Sequence, residues 1–317
     1  MPEQNARSEG RKRYKTDATD AEWDLLRDLI PPAVPKRGRE PTDLREIFNT
    51  IRYQNHTGCQ WDMLPHDLPA RSTAFGYYTA WQENGVWELL LDTLRRKVRV
   101  ATPRVKEKAE EPDAAHGEAP EAPAAEPKAE ERAKGEAKME ESPPIEERRE
   151  ETPSFVIMDS QSAKTTEVGG EQRGYDGGKK VKGRKRHIAV DTLGLLMAVV
   201  VTAANISDGR GACQLLKQMT PEKFPRLKGA CGDGRYNDKR FIASLEKRGL
   251  TLEVKSRPPG AKGFVLLKKR WIVERTFAWL GFNRRLSKDY ERTVRSSETR
   301  VRIAAIGMML KRLTKMS

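Results

Sequence analysis

Between residues 154 and 257 the apolar positions fall in short runs bounded by turn residues, the pattern of buried strands alternating with amphipathic helices. The segment 154-SFVIMD-159 reads as a strand that ends in an acid. Residues 187-HIAVDTLGLLMAVVVTAA-204 read as a hairpin turning near Asp191–Gly194. A helix follows over 210-RGACQLLKQM-219, then a short strand in 228-KGACGD-233. Next come a glycine-ended helix in 238-DKRFIASLEKRG-249 and a strand in 250-LTLEVKSR-257. A long helical region begins at 265-VLLKKRWIVERTFAWLGFNRR-285. Three strands followed by alternating helices and strands predict an α/β domain, with an antiparallel hairpin on one side and crossover units after it.

Residues 17–100 carry the other period. In 17-DATDAEWDLLRDLIPP-32, Trp23, Leu26 and Ile30 share a helical face, and Pro31 and Pro32 stop it. In 42-TDLREIFNTIRYQNHTG-58, Thr42 is the expected cap and Gly58 the expected end. Ser72 or Thr73 is placed to cap a helix in 70-ARSTAFGYYTAWQENGVWELLLDTLRRKV-98, with Gly85 separating it from the next. Short helices with a basic turn at Lys36, Arg37 and Arg39 suit a helix-turn-helix reader of DNA, and equally a small basic helical bundle.

Composition divides the chain. Residues 101–150 hold 15 acidic and 9 basic residues, eleven Ala, seven Pro and no aromatic residue. They predict a flexible linker between two folded parts. The whole chain carries +14 from 60 Lys and Arg against 46 Asp and Glu, so the excess outside the linker is +20. Such a charge favours a polyanionic partner. The expected organisation is a basic N-terminus over 1–16, a helical DNA-end-binding domain over 17–100, the linker over 101–150 and a catalytic domain over 151–317. Three scattered cysteines form no disulfide framework, and four scattered histidines form no zinc pattern. The start, MPEQNARSEGRKRYK, lacks the apolar core of a signal peptide, and the longest apolar run, 195-LLMAVVV-201, is too short to span a bilayer. A cytoplasmic protein is expected.

Asp159 and Asp233 each end a predicted strand, and Glu274 lies in the apolar, basic stretch 270-RWIVERTFAWL-280. Each has a plain structural alternative: a strand-end cap, a holder of the Gly-Arg-Tyr turn, and a partner of Arg270. Three carboxylates without a histidine cluster or cysteine pair suit a hard cation such as Mg2+, which activates water or a hydroxyl and stabilises a leaving oxygen. The run 179-KKVKGRKRH-187 supplies Lys179, Lys180, Lys182, Arg184, Lys185 and Arg186 for phosphate contacts. Asp191 is expected in a structural turn. Asp208 is a candidate support for the acids, and Trp271 and Trp279 are expected in the core.

Four segments resemble bacterial insertion-sequence transposases of the DDE type, specifically insertion sequence family five. They are 156-VIMDSQSAKTTEVGGEQRGYDGGKKVKGRKRHIAVDTLGLLMAVVV-201, 203-AANISDGRGA-212, 231-CGDGRY-236 and 269-KRWIVERTFAWLGFNRRLSKDYE-291. Residues 17–32 and 58–69 resemble that family's leader domain. The resemblance implies an RNase H-like mixed-sheet catalytic core behind an N-terminal all-α domain. It places the metal-binding catalytic triad on Asp159, Asp233 and Glu274. Of that group's tyrosine, arginine and lysine signature around the glutamate, Arg270 is kept, whereas Leu267 and Gly281 stand at the other two places. Arg284, Arg285 and Lys288 supply positive charge nearby, and Arg235 adds charge beside the second acid. The implied activity is Mg2+-dependent cleavage and strand transfer at transposon ends, with Mn2+ as a substitute. The implied substrate is double-stranded DNA, namely terminal inverted repeats and target DNA. The implied assembly is a homodimer or larger synaptic complex at the bacterial nucleoid. A DNA-binding regulator that has lost catalysis, and a nuclease that cuts without joining, are the competing readings.

Overall fold

The computed structural model describes residues 11–33, 42–104, 147–255 and 269–316. The chain opens with α1 (Asp20–Asp24), α2 (Leu44–Thr57), α3 (Arg71–Glu83) and α4 (Val86–Ala101). Thr19 and Glu22 form a reciprocal cap on α1, and a 3-10 turn over Arg27–Leu29 replaces the longer helix expected there. Asp43, not Thr42, caps α2, taking the amides of Arg45 and Glu46. Neither Ser72 nor Thr73 caps α3, which starts at Arg71 behind Ala70. Gly58 ends α2 at φ +74, and a Cβ there would lie 3.1 Å from the Arg284 backbone, so glycine meets both demands.

Two-residue strands β1 (Pro103–Arg104) and β2 (Glu147–Arg148) pair antiparallel. A mixed sheet follows, built from β3 (Phe155–Lys164), β4 (Gly174–Asp176), β5 (Val181–Val190), β6 (Leu196–Ala203), β7 (Gly229–Gly232) and β8 (Thr251–Val254). Its order is β6-β5-β3-β7-β8, with β4 continuing the β6 edge of β5. β3 lies antiparallel to β5 and parallel to β7, and β7 is parallel to β8. Three antiparallel strands followed by two parallel ones on the far side of the first is the RNase H-like arrangement. The helices are α5 (Asp208–Gln218), α6 (Lys239–Glu246), α7 (Arg270–Gly281) and α8 (Val294–Leu313).

Strand alternation separates two cores. Val156, Met158, Ala189, Val200 and Ala230 face α5 and α6, joining Leu215, Phe241 and Leu245. Ile157, Ile188, Val190, Val199 and Cys231 face α7 and α8. This second core does not stop at the sheet. α8 is buried nearly all round, by β6 on one side and by α2 and α4 on the other, and its Val301, Ala305, Ile306 and Leu310 join Phe48, Trp87, Leu90 and Leu94 in one cluster. Polar contacts follow the same seam. Gln82 Nε2 donates to Thr299 Oγ1 at 3.0 Å, and Arg300 lies over the rings of Tyr78 and Trp61. Arg99 pairs with the fully buried Asp191 of the β5–β6 turn. The residues on either side of the 101–150 segment therefore build one body, where the sequence suggested two folded parts. Most of the linker expected over 101–150 lies outside the described residues, and composition does not reveal that α8 packs against the N-terminal helices.

A chain lacking residues 1–104 should therefore keep helical and strand signals in far-UV circular dichroism but lose near-UV signal and bind a hydrophobic dye. Cooperative unfolding of that fragment with wild-type heat would refute the shared core.

Candidate active site

Asp159 does not end its strand. β3 runs on to Lys164, paired with β5 throughout, and Asp159 stands opposite Ile188. What ends beside it is β7. The parallel register pairs Ile157 with Cys231, and β7 stops at Gly232, so the same register carried two residues on sets Asp159 beside Asp233. Both acids follow the parity of Ile157 and Cys231 and leave the sheet on the α7 side. Burial pushes the Asp159 carboxyl up to about 6. The Ser160 amide, donating to Oδ1 at 2.8 Å, and the Arg270 guanidinium oppose the rise, while the Asp233 charge adds to it. Asp233 caps the 3-10 turn Gly234–Tyr236, with Oδ1 accepting from the Arg235 amide at 2.9 Å. The turn-holding role weighed in the sequence is thus present, and it orients the carboxylate.

Glu274 lies on α7, which packs on β3. Its exposed carboxylate pairs one helical turn back with Arg270 at 3.1 Å. Among the described residues no three His, Cys, Asp or Glu side chains gather closely enough to hold an ion. The arrangement brings Asp159 and Asp233 together and leaves Glu274 apart, on Arg270. Two adjacent carboxylates, one with its proton affinity raised by burial and, to a lesser degree, by the other's charge, form a hard oxygen pair that fits two ligand positions of a divalent cation.

Sequence reasoning missed two neighbours. The Tyr236 ring is buried, and its hydroxyl has no hydrogen-bond partner among the described residues. Burial, then the charges of Asp159, Asp208 and Asp233, push that hydroxyl well above its usual range. Ser160 holds Asp159 through its amide and accepts from Lys179 Nζ at 3.0 Å through its carbonyl. A serine in a strand gives no sequence signal, although its parity, opposite to that of Asp159, could have assigned it to the α5 face.

Residues 150–310 match the family described as Transposase DDE domain, half of the chain. The chain belongs to the DDE transposase family. Residues 18–91 match a second family, described as a putative transposase of the IS4/5 family. Among curated relatives it is similar to the putative transposase for insertion sequence element IS402 of Burkholderia cepacia, 33% identical over 116 residues, 35% of this chain and 54% of the relative. An IS402 uncharacterized 16.2 kDa protein from the same organism is 34% identical over 88 residues, 26% of this chain and 60% of that protein. The chain thus spans little more than half the length of these relatives. Among solved structures, the catalytic core domain of BIV integrase aligns at 15% identity and a TM-score of 0.31, over 48% of this chain and 81% of that one. Divalent-metal dependence is what membership of the family implies.

The basic residues expected on DNA divide sharply in this chain. β5 starts at Val181, so the basic run lies inside a central strand rather than in a surface loop. Arg184 is fully buried, bonded to Asp289 at 3.0 Å and to the carbonyls of Glu171, Glu291 and Arg292. Lys185 is buried against the Ile206 carbonyl and Asp208. Arg186 is buried against the carbonyls of Leu286 and Lys288. None of these three presents its charge to a phosphate. Arg285 is engaged by Glu291 at 2.7 Å. Lys179, Lys180, Lys182, Arg235, Arg284 and Lys288 are exposed, whereas Lys36, Arg37, Arg39 and Leu267 lie outside the described residues. Trp271 and Trp279 are not core. Each is 37% exposed, and the Arg275 guanidinium lies between them, 4.3 and 4.5 Å from the two rings.

The raised Asp159 carboxyl has a stability signature. In the folded protein it holds its proton up to about pH 6, whereas an unfolded one releases it near about pH 4. Metal-free wild type should therefore lose stability as pH rises from 4 to 6 and stay at the lower value above. Asp159→Asn carries no titrating proton, so its advantage should open over that window to about 1–3 kcal/mol. Thermal or urea unfolding across pH 4–8 measures it, and a pH-independent difference would refute the assignment.

Proposed function

We propose that the chain cuts phosphodiester bonds at the ends of a mobile DNA element and joins the freed 3′ ends to target DNA, with Asp159, Asp233 and Glu274 as its catalytic carboxylates. The observation that carries this is the register that sets Asp159 beside Asp233 at the end of β7, with Arg270 in electrostatic reach, in a chain of the DDE family. Asp159 and Asp233 hold the cation, and Glu274 completes the set by leaving Arg270. Glu274 is the exposed partner of that pair, whereas the Arg270 side chain is mostly buried and needs a replacement anion. Mg2+ is the native ion and Mn2+ a substitute, because carboxylate and water ligands suit both. The ion supplies Lewis-acid polarisation of the phosphate and activation of the attacking water or hydroxyl.

The freed Arg270 guanidinium then faces the scissile phosphate, where a fixed planar donor fits two oxygens. Lys180, Lys182, Arg235, Arg284 and Lys288 contact flanking backbone phosphates, and the helices of 17–100 recognise the terminal repeat. Those helices share a core with the catalytic sheet, so recognition and cutting are held in one rigid frame. Two ends are cut and joined together, so one chain per end implies a dimer or larger synaptic assembly on chromosomal DNA in the bacterial cytoplasm. Among the described residues no helix is long and apolar enough to cross a membrane.

Asp159→Asn and Glu274→Gln should each lower end cleavage in Mg2+ by at least about three orders of magnitude while end binding in a mobility-shift assay stays within about twofold. Wild-type cleavage by either variant sinks the assignment. With precut ends, wild type should join 3′ ends to a target plasmid; cutting without joining would support the nuclease reading instead.

A further inference from the structure

One buried acid has no part in that scheme. Asp208 opens α5 at 5% exposure, and a carboxylate withdrawn from water needs partners. Its Oδ1 accepts from Ser160 Oγ at 2.7 Å and meets Lys185 Nζ at 3.2 Å. Its Oδ2 faces an Arg235 Nη1 at 3.5 Å. Lys185 neutralises the charge and is itself anchored by the Ile206 carbonyl at 2.9 Å and Asp176 at 3.6 Å. The other two partners are informative. Ser160 donates its backbone amide to Asp159, and Arg235 donates its backbone amide to Asp233. The side chains of the two residues that grip the candidate metal ligands thus converge on one carboxylate.

The sheet separates these parts. Asp159 leaves on the α7 side, whereas Ser160, paired with His187, leaves on the α5 side, where the start of α5 lies. The buried Tyr236 hydroxyl feels the charges of Asp159, Asp208 and Asp233, after the larger effect of burial. An acid in the first turn of a helix also has a plain role, complementing the helix dipole. That role needs neither Ser160 nor Arg235.

We propose that Asp208 is a positioning residue that ties the Asp159 and Asp233 carboxylates into one rigid pair through Ser160 and Arg235. The tie fixes the two turns to each other, so both carboxylates present their remaining oxygens to one ion without a separate ordering step. This rests on the reading of Asp159 and Asp233 as metal ligands.

The test uses full-length protein without DNA, titrated with Mn2+ and followed by water-proton relaxation, which detects weak sites and needs no catalysis. Asp208→Asn should weaken Mn2+ binding about tenfold. Ser160→Ala and Arg235→Gln should each weaken it several-fold, and neither should weaken it further when combined with Asp208→Asn. The double variant Ser160→Ala/Arg235→Gln should be no worse than the weaker single, because cutting the tie at either end releases it. Those two substitutions remove no buried charge, since Arg235 is 56% exposed at its side chain, so they carry the test if Asp208→Asn fails to fold. Wild-type Mn2+ affinity in a folded Asp208→Asn variant, or fully additive effects of Ser160→Ala and Arg235→Gln, overturns the proposal. Asp159→Asn is the control. If it binds Mn2+ like wild type, the metal-ligand reading falls and this inference with it; if it loses the ion while Asp208→Asn keeps it, only the inference falls.

Discussion

The position of β3 between two unequal neighbours is the constraint on which the site depends. On one edge β5 accompanies it for eight paired residues, and on the other β7 pairs with three and then stops. Asp159 is therefore a mid-strand residue on one side and a strand-end residue on the other. The long antiparallel pairing makes it rigid, and the early end of β7 opens the space in which Asp233 approaches it. A one-residue slip of β3 against β7 would send the two carboxylates to opposite faces. The slip is opposed because it would also turn Asp159 into the apolar α5 core and carry Ser160 away from Asp208.

The same sheet explains why so much positive charge lies inside a fold. β5 carries Arg184 and Arg186 to one face and Lys185 to the other, all three buried. Burying a cation is costly unless its donors are met. Arg184 and Arg186 meet theirs in the segment after α7, through Asp289 and the carbonyls of Leu286, Lys288, Glu291 and Arg292. These bonds fasten that segment over β5 and so set where α7 ends and α8 begins. The N-terminal helices then close over α8. Position is thus handed from β5 to the segment after α7, then to α8 and to α2 and α4 packed against it, in one continuous chain of buried contacts.

Much of this was legible in the residues. The alternation of VIMD and HIAV marked central strands, Gly58 and Gly85 marked helix ends, and the segments around the acids pointed to the DDE transposase family. Three things were not. The run 179-KKVKGRKRH-187 looks like surface because charge normally is, and only the carbonyls and Asp289, about a hundred residues away, reverse that. The exposure of Trp271 and Trp279 depends on Arg275 filling the space between the rings, a contact that helical spacing permits but does not demand. The shared core depends on α8, whose apolar residues cover its whole circumference and so give no stripe to read.

The central claim is that Asp159 and Asp233 hold one ion between them with Glu274 joining from α7. Iron-mediated cleavage of the polypeptide tests it most directly: Fe2+ replaces the native ion, and ascorbate and peroxide cut the backbone next to it. The account predicts cuts near residues 159 and 233, a weaker cut near 274 that strengthens when DNA is present, and loss of all three in Asp159→Asn or under excess Mg2+. Cuts at 159 without 233, or cuts that survive Asp159→Asn, would contradict it.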